Sequence, residues 1–373
     1  MLFRSELAGF PHHALDTYLH KLVKSGYRVA ICDQLEDPKL AKGIVKRGVT
    51  EMVTPGIATQ EKLLDHQANN YLAGIHFNEQ QAGLSFLDIS TGEFFVAEGD
   101  LSYADKLLQA LRPSEIIFSR SAQKLFKETF GSKFYTYALE NWVFEEAYAT
   151  EILLKQFQTH SLKGFGIEHL HLGIIAAGAI LHYLKDTEHP HLGHLTTLQR
   201  IERDEHLWMD RFTIRNLELV QPASEQGPSL LKVIDHTVSP MGARLLKRWI
   251  LMPLTDPAKI RDRLDAVEFL VLNNDLRQGL IHALKLCGDL ERLAAKIALK
   301  KINPRELLQL GRGLHHTQEI KQWCLASNNE YLKRLGDALN PCPYIEEKIF
   351  KEIVENPPVL AIKGGMINGG VNN

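Results

Sequence analysis

The spacing of apolar positions changes twice along the chain. Near the start, Leu15, Tyr18, Leu19, Leu22 and Val23 recur every three or four residues, the spacing of one helical face. A short apolar run at 27–32 reads as a buried strand. Residues 37–47 read as a helix, with Pro38 early, where a missing N–H does no harm. A strand over 49–53 stops at Pro55-Gly56.

From 71 to 197 strands and helices alternate. YLAGIHF, AGLSFLDI and EFFVAE are three strand candidates joined by short polar links, which favours antiparallel neighbours. Then come a helix at 101–111, a strand at 115–118, a helix at 122–130, a strand near 134–137, and helices at 145–158 and 168–185. That order predicts a mixed sheet covered by helices. From 201 onward the pattern is helical and its caps are legible. Ser239-Pro240, Asp256-Pro257, Asp289 and Asn303-Pro304 each open an apolar-periodic run. Glu306 completes a capping box. Ile260, Leu264, Val267 and Val271 share one face, and Leu290, Leu293 and Ile297 are expected inside. The closing KGGMINGGVNN carries no cap and reads as an interrupted chain.

Composition alters this picture little. The 373 residues hold 45% hydrophobic and 24% charged residues, ordinary for a globular protein of two or three domains. No apolar run reaches the ~18 residues of a membrane span, so a cytoplasmic protein is expected. The net charge of -2 gives no global basic signature, but a local stripe suffices to meet phosphates. Four scattered cysteines make neither a metal motif nor a disulfide framework and read as reduced thiols.

Candidate chemistry thins out on inspection. The nearest approach to a phosphate-binding loop, Gly364 to Gly370, lacks its lysine. The His189–His194 stretch matches no metal spacing and reads as a polar linker; the pairs His12-His13 and His315-His316 are weak. Asp88 sits where a nuclease aspartate might, yet the preceding strand has no partner acid, so a polar residue beside a turn is the simpler reading. Three basic stripes remain: Arg244, Lys247 and Arg248; Arg292, Lys296 and Lys300; and Lys39, Lys42, Lys46 and Arg47. The first two read as solvated helix faces.

Three blocks carry a resemblance. LAGFPHHALDTYLHKLVKSGYRVAICDQLEDP with KGIVKRGVTEMVTPG, MDRFTIRNLELVQP at 209–222, and SLLKVIDHTVSPMGARLLKRWILMPLTDPAKIRDRLDAVEFL at 229–270, with DLERLAAKIALKKINPREL after them, resemble the MutS family of DNA mismatch repair proteins. The resemblance implies a multidomain α/β plus all-α chain. Residues 1–60 would be a partial mismatch-binding domain, 66–195 a ribonuclease H-like connector, and 200–373 the start of a helical core, or lever, domain. It also implies that Arg47 is the leading phosphate contact, with Lys42, Lys46 and, near the groove, Pro11. No catalytic or metal-binding residue is expected.

The family's Phe-any-Glu wedge precedes the Leu7 block and is not found there; FKE at 126–128 and FEE at 144–146 lie in the wrong region. Residues 1–5 match nothing expected. The chain is therefore expected to be a fragment without clamp or ATPase, a weak, non-specific DNA binder at most, with no nucleotide hydrolysis and no cofactor of its own. For the full-length family the resemblance implies ATP and Mg, a homodimer, MutL as partner, mismatched double-stranded DNA as ligand, no membrane, and a cytoplasmic, nucleoid-associated site of action. The alternatives are a MutS paralogue or a protein-interaction module without mismatch recognition.

Overall fold

The fold, taken from a computed structural model, is described for residues 14–36, 43–222, 224, 227–358 and 364–371. Helix α1 (Leu15–Lys24) lays Leu19 and Val23 against Val53, with Leu15, Val29, Ile31 and Leu63 around them. It covers one side of an antiparallel ladder, β1 (Val29–Gln34) and β2 (Arg47–Val53). Thr50 is an extra residue in β2 between the Ile31↔Glu51 and Cys32↔Val49 pairs, and its hydroxyl donates to Asp33 at 2.7 Å. Such a bulge bends the strand and tightens its twist.

Two expectations are corrected here. The strand expected at 27–32 begins and ends two residues later and is largely exposed, because a two-stranded ladder has only α1 to cover it. Arg47 opens β2 opposite Gln34 instead of ending a helix; Gly43 and Ile44 form a bend. The rest of the expected helix, 37–42, lies outside the described residues.

The second region is a six-stranded sheet of order β7-β6-β3-β4-β5-β8. Strands β3 (Leu72–Phe77), β4 (Gln81–Asp88) and β5 (Glu93–Asp100) are antiparallel, as expected. Strands β6 (Glu115–Ser119) and β7 (Thr136–Leu139) add in parallel on one edge. The two-residue β8 (Gln199–Arg200), too short to show a period, joins the other. This is the mixed, ribonuclease H-like arrangement. Helices α2 (Leu101–Leu111) and α3 (Gln123–Phe130) cover one face, α4 (Glu146–Phe157) and α5 (His171–Asp186) the other. Helix α5 lies almost on the backbone of the sheet. A Cβ added to Gly83 would stand 2.0 Å from the Leu172 carbonyl carbon, and one on Gly74 2.5 Å from the Ala176 oxygen.

The third region contains helices α6 (Arg211–Asn216), α7 (Leu230–Ile234), α8 (Pro240–Leu251), α9 (Pro257–Leu272), α10 (Asn274–Cys287), α11 (Leu290–Ala298), α12 (Pro304–Ala326), α13 (Glu330–Ala338) and α14 (Pro343–Glu352). The four caps read from sequence are made. Ser239, Asp256, Asp289 and Asn303 accept from the N–H groups of Gly242, Ala258, Arg292 and Glu306, and Glu306 reaches back to Asn303 at 2.9 Å. Its own core joins α10 and α12 through Leu280, Ala283, Cys287, Ile320 and Cys324. Two details differ from expectation. Ile297 is exposed, and α11 ends at Ala298, so Lys300 is off the helix, in a left-handed turn. The apolar face of α9 looks outward, with Leu264, Val267 and Val271 each about 60% exposed.

Candidate nucleic-acid interface

The β1–β2 hairpin is built to project from a fixed base. At the base, Met52 N donates to the Thr187 carbonyl (3.2 Å) and Lys301 Nζ to Glu51 (2.6 Å). The Arg28 guanidinium stacks on Tyr137, 3.5 Å from the ring centroid, and also reaches the Met52 sulfur. Beyond Val53 the buried Glu115 carboxylate gathers the chain. It accepts from the Thr54 hydroxyl, from Gly56 N (3.0 Å) and from the Tyr183 hydroxyl (2.6 Å). A buried carboxylate is tolerable only when so partnered. Gly56 is required beside it, since a Cβ there would sit 2.8 Å from that of Glu115.

Among the described residues, no hydrogen bond or ion pair joins the other end of the hairpin to the rest of the fold. Arg47 lies six positions before Val53, which at strand rise puts it roughly 20 Å from the anchored base. Leu35 N donates to the Lys46 carbonyl (2.9 Å), and Lys46 N to the Glu36 carboxylate (2.7 Å). These bonds close the loop and leave the side chains of Lys46 and Arg47 exposed and without an ion pair among the described residues. Ile44, 99% exposed, stands beside them. Lys42 and Pro11, the other two candidates, lie outside the described residues.

The two stripes read as solvated helix faces are something else. Arg244 is buried and makes a bidentate pair with Asp289 (2.7 and 2.8 Å), a bond to Glu291 (2.6 Å) and one to the His66 carbonyl (3.2 Å). Arg248 pairs with Glu93 at 2.5 Å, and Arg292 donates to the Ala68 carbonyl. Lys296 bridges Glu61 and Glu306, at 2.6 Å each. These side chains join the core to the sheet and to the segment before it. Burial opposes charge on Asp289, but the Arg244 hydrogen bonds and charge outweigh it and hold the carboxyl below its usual range. No local sequence signal could show this, because the partners lie far away in the chain.

Asp88 accepts from Asn69, Asn70 N, and Ser90 N and Oγ, at 2.7–3.1 Å, so it organises a turn, as expected. Among the described residues no three His, Cys, Asp or Glu side chains gather as metal ligands. His189, expected in a polar linker, is buried with its Nδ1 3.3 Å from the Thr187 hydroxyl, and His194 Nε2 donates to the Ile89 carbonyl at 2.9 Å. The sequence reading also passed over Arg112, Lys133, Arg211 and Arg215, which the fold lines along one groove. No spacing rule joins residues scattered over a hundred positions.

Family models match the chain in three consecutive stretches: MutS domain I over residues 3–62, MutS domain II over 70–196 and MutS domain III over 212–369. The first begins inside the 1–5 segment that was expected to match nothing. Proteins named DNA mismatch repair protein MutS are similar throughout. That of Bacteroides thetaiotaomicron is 53% identical over 98% of this chain and 43% of its own length. Those of Phocaeicola vulgatus and Cytophaga hutchinsonii are 53% and 52% identical over 98% of this chain and 42% and 43% of theirs. The chain thus spans less than half the length of these relatives. Among the described residues no helix is long and apolar enough to cross a membrane. Three domain matches in order, and identity near one half across almost the entire sequence, place the chain in the MutS family.

Proposed function

We propose that this chain supplies DNA-engaging parts of a mismatch repair protein, with the β1–β2 hairpin meeting the backbone of double-stranded DNA. Arg47 is the principal phosphate contact and Lys46 stands beside it; Lys42 and Pro11 belong to the same approach. The observation that carries this is the pair of unpaired cations at the free end of a hairpin whose base is locked by Glu115, Arg28 and Lys301. A rigid base makes such contacts cheap in entropy, and backbone contacts position a protein without reading sequence.

In the longer protein this reading extends to recognition of mismatched duplexes by a homodimer, to MutL as partner, and to action in the cytoplasm at the nucleoid. ATP with Mg2+ belongs to that longer protein too, but the residues here do not fit them. Gly364, Gly365 and Gly370 have left-handed φ values beside a lone Ile353↔Ile367 bridge, not a strand–loop–helix, and the loop lysine is missing. No step is derived through the nucleotide.

Fluorescence anisotropy with a labelled duplex, matched or carrying a G·T mispair, tests the proposal. Arg47→Ala is expected to weaken both complexes equally and to reduce the slope of log K against log salt by about 0.9, one phosphate contact. An unchanged slope, or a loss confined to the mispaired duplex, removes Arg47 from the role. No binding at low salt leaves a protein-interaction module as the better reading.

A further inference from the structure

A second cationic surface lies away from the hairpin. Two adjoining cavities of about 560 and 370 Å³ share Arg112, Pro113, Lys133 and Phe134 along their common border. The larger extends to Arg211, Phe212 and Arg215 on α6; the smaller reaches Lys24 at the end of α1. Together they form one groove across three parts of the fold.

Its chemistry is one-sided. Among the described residues, no Asp or Glu lines either cavity. Lys24, Arg112, Lys133, Arg211 and Arg215 are exposed, and none has an ion pair among the described residues. This contrasts with Arg244, Arg248, Lys296 and Lys301, each neutralised by a carboxylate. In a chain of net charge -2, five unneutralised cations along one concavity focus a positive potential.

The groove also carries rings. Tyr135 is 50% and Phe212 63% exposed, Phe134 is half-buried between the cavities, and the Arg211 guanidinium lies 5.5 Å from the Phe212 centroid. Exposed rings beside cations serve ligands that present flat faces and phosphates together. A duplex hides its base faces by stacking, whereas a single strand offers them.

We propose that this groove binds single-stranded nucleic acid, phosphates on Arg112, Lys133, Arg211 and Arg215 and bases stacked on Phe212 and Tyr135. An acidic peptide would meet the cations but leave the rings without a specific partner. The site stands apart from the duplex reading, since neither Lys46 nor Arg47 lines it.

The test uses the 373-residue chain and a fluorescein-labelled oligothymidylate of about 16 nucleotides. Arg112→Gln with Lys133→Gln is expected to weaken binding about tenfold and to reduce the salt slope by about 1.4, two single-strand phosphate contacts. Phe212→Ala, at a ring outside the core, is expected to cost about fivefold or more with an unaltered melting curve. Arg47→Gln is expected to leave oligothymidylate binding unchanged while it lowers duplex binding, so the two sites fail separately. The proposal is overturned if oligothymidylate does not bind, or if the groove variants bind it like the parent chain. It is equally overturned if Phe212→Ala has no effect while polyglutamate displaces the strand at equal concentration, which would make the groove a site for acidic peptides.

Discussion

His194 shows how a single atom can limit the pH range of a fold. Its Nε2 donates to the Ile89 carbonyl, which fixes the tautomer, and its buried Nδ1 has no partner. The Nε2 of His189 is likewise buried without a hydrogen bond, the Glu51 carboxylate standing 3.9 Å away. Burial pushes both imidazoles below their ordinary value, since protonation would create a buried N–H with nowhere to donate. The unfolded chain takes up these protons near pH 6.5. Stability is therefore complete above about pH 6.5 and falls as pH drops from there through the lowered folded values. Thermal melts between pH 7 and pH 5 should show this loss. His189→Gln with His194→Gln, which cannot titrate, should flatten it; an unaltered slope would clear both histidines. At this scale the sequence was partly legible. Asp88 reads correctly as a turn residue because its partners Asn69, Asn70 and Ser90 sit near a strand end. His189 reads wrongly, because a polar-looking stretch gives no hint that α5 and the hairpin close over it.

Among elements, close approach of α5 to β4 makes the sharpest demand. Any side chain at Gly83 meets helix backbone, which cannot turn aside as a flexible side chain would. Gly83→Ala is expected to cost about 3 kcal/mol, at the upper end of overpacking penalties. Gly193→Ala, with nothing within 4 Å of its added Cβ, should be near neutral. Equal denaturation midpoints for the two variants would contradict the packing described. Most elements are legible in sequence because their signals are local. A cap needs an oxygen two or three residues from an N–H, and a strand needs alternation. The failures fall where locality fails: the local pattern puts Arg47 in a helix, whereas its pairing with Gln34 across the loop makes it a strand residue.

Across the molecule, buried Arg244 ties α8 to the start of α11 through Asp289 and Glu291 and reaches the segment before the sheet at the His66 carbonyl. Removing Arg244 would leave the Asp289 and Glu291 carboxylates, both at the start of α11, without their cation. Arg244→Met is expected to destabilise the chain by about 3 kcal/mol, read as a lower midpoint in urea. Adding Asp289→Asn and Glu291→Gln should recover part of the loss. A cost below about 1 kcal/mol, the worth of an exposed pair, would show that this cluster does not fix α8 on α11. The outward apolar face of α9 is a different feature at the same scale: its period is helical, yet no described element covers it.

The kind and order of most elements, their caps, and the family that the ordered motifs mark follow from the residues in line. These are properties of neighbours along the chain, where spacing of two, three or four residues sets which side chains share a face. Which basic residues are neutralised depends on how the chain folds back on itself. Arg244 finds Asp289 45 positions away and Arg248 finds Glu93 155 positions away, while Arg112, Lys133, Arg211 and Arg215 come to one groove that no described acid lines. Coulomb interactions depend on distance in space and on the surrounding dielectric, and neither quantity is written in a local pattern.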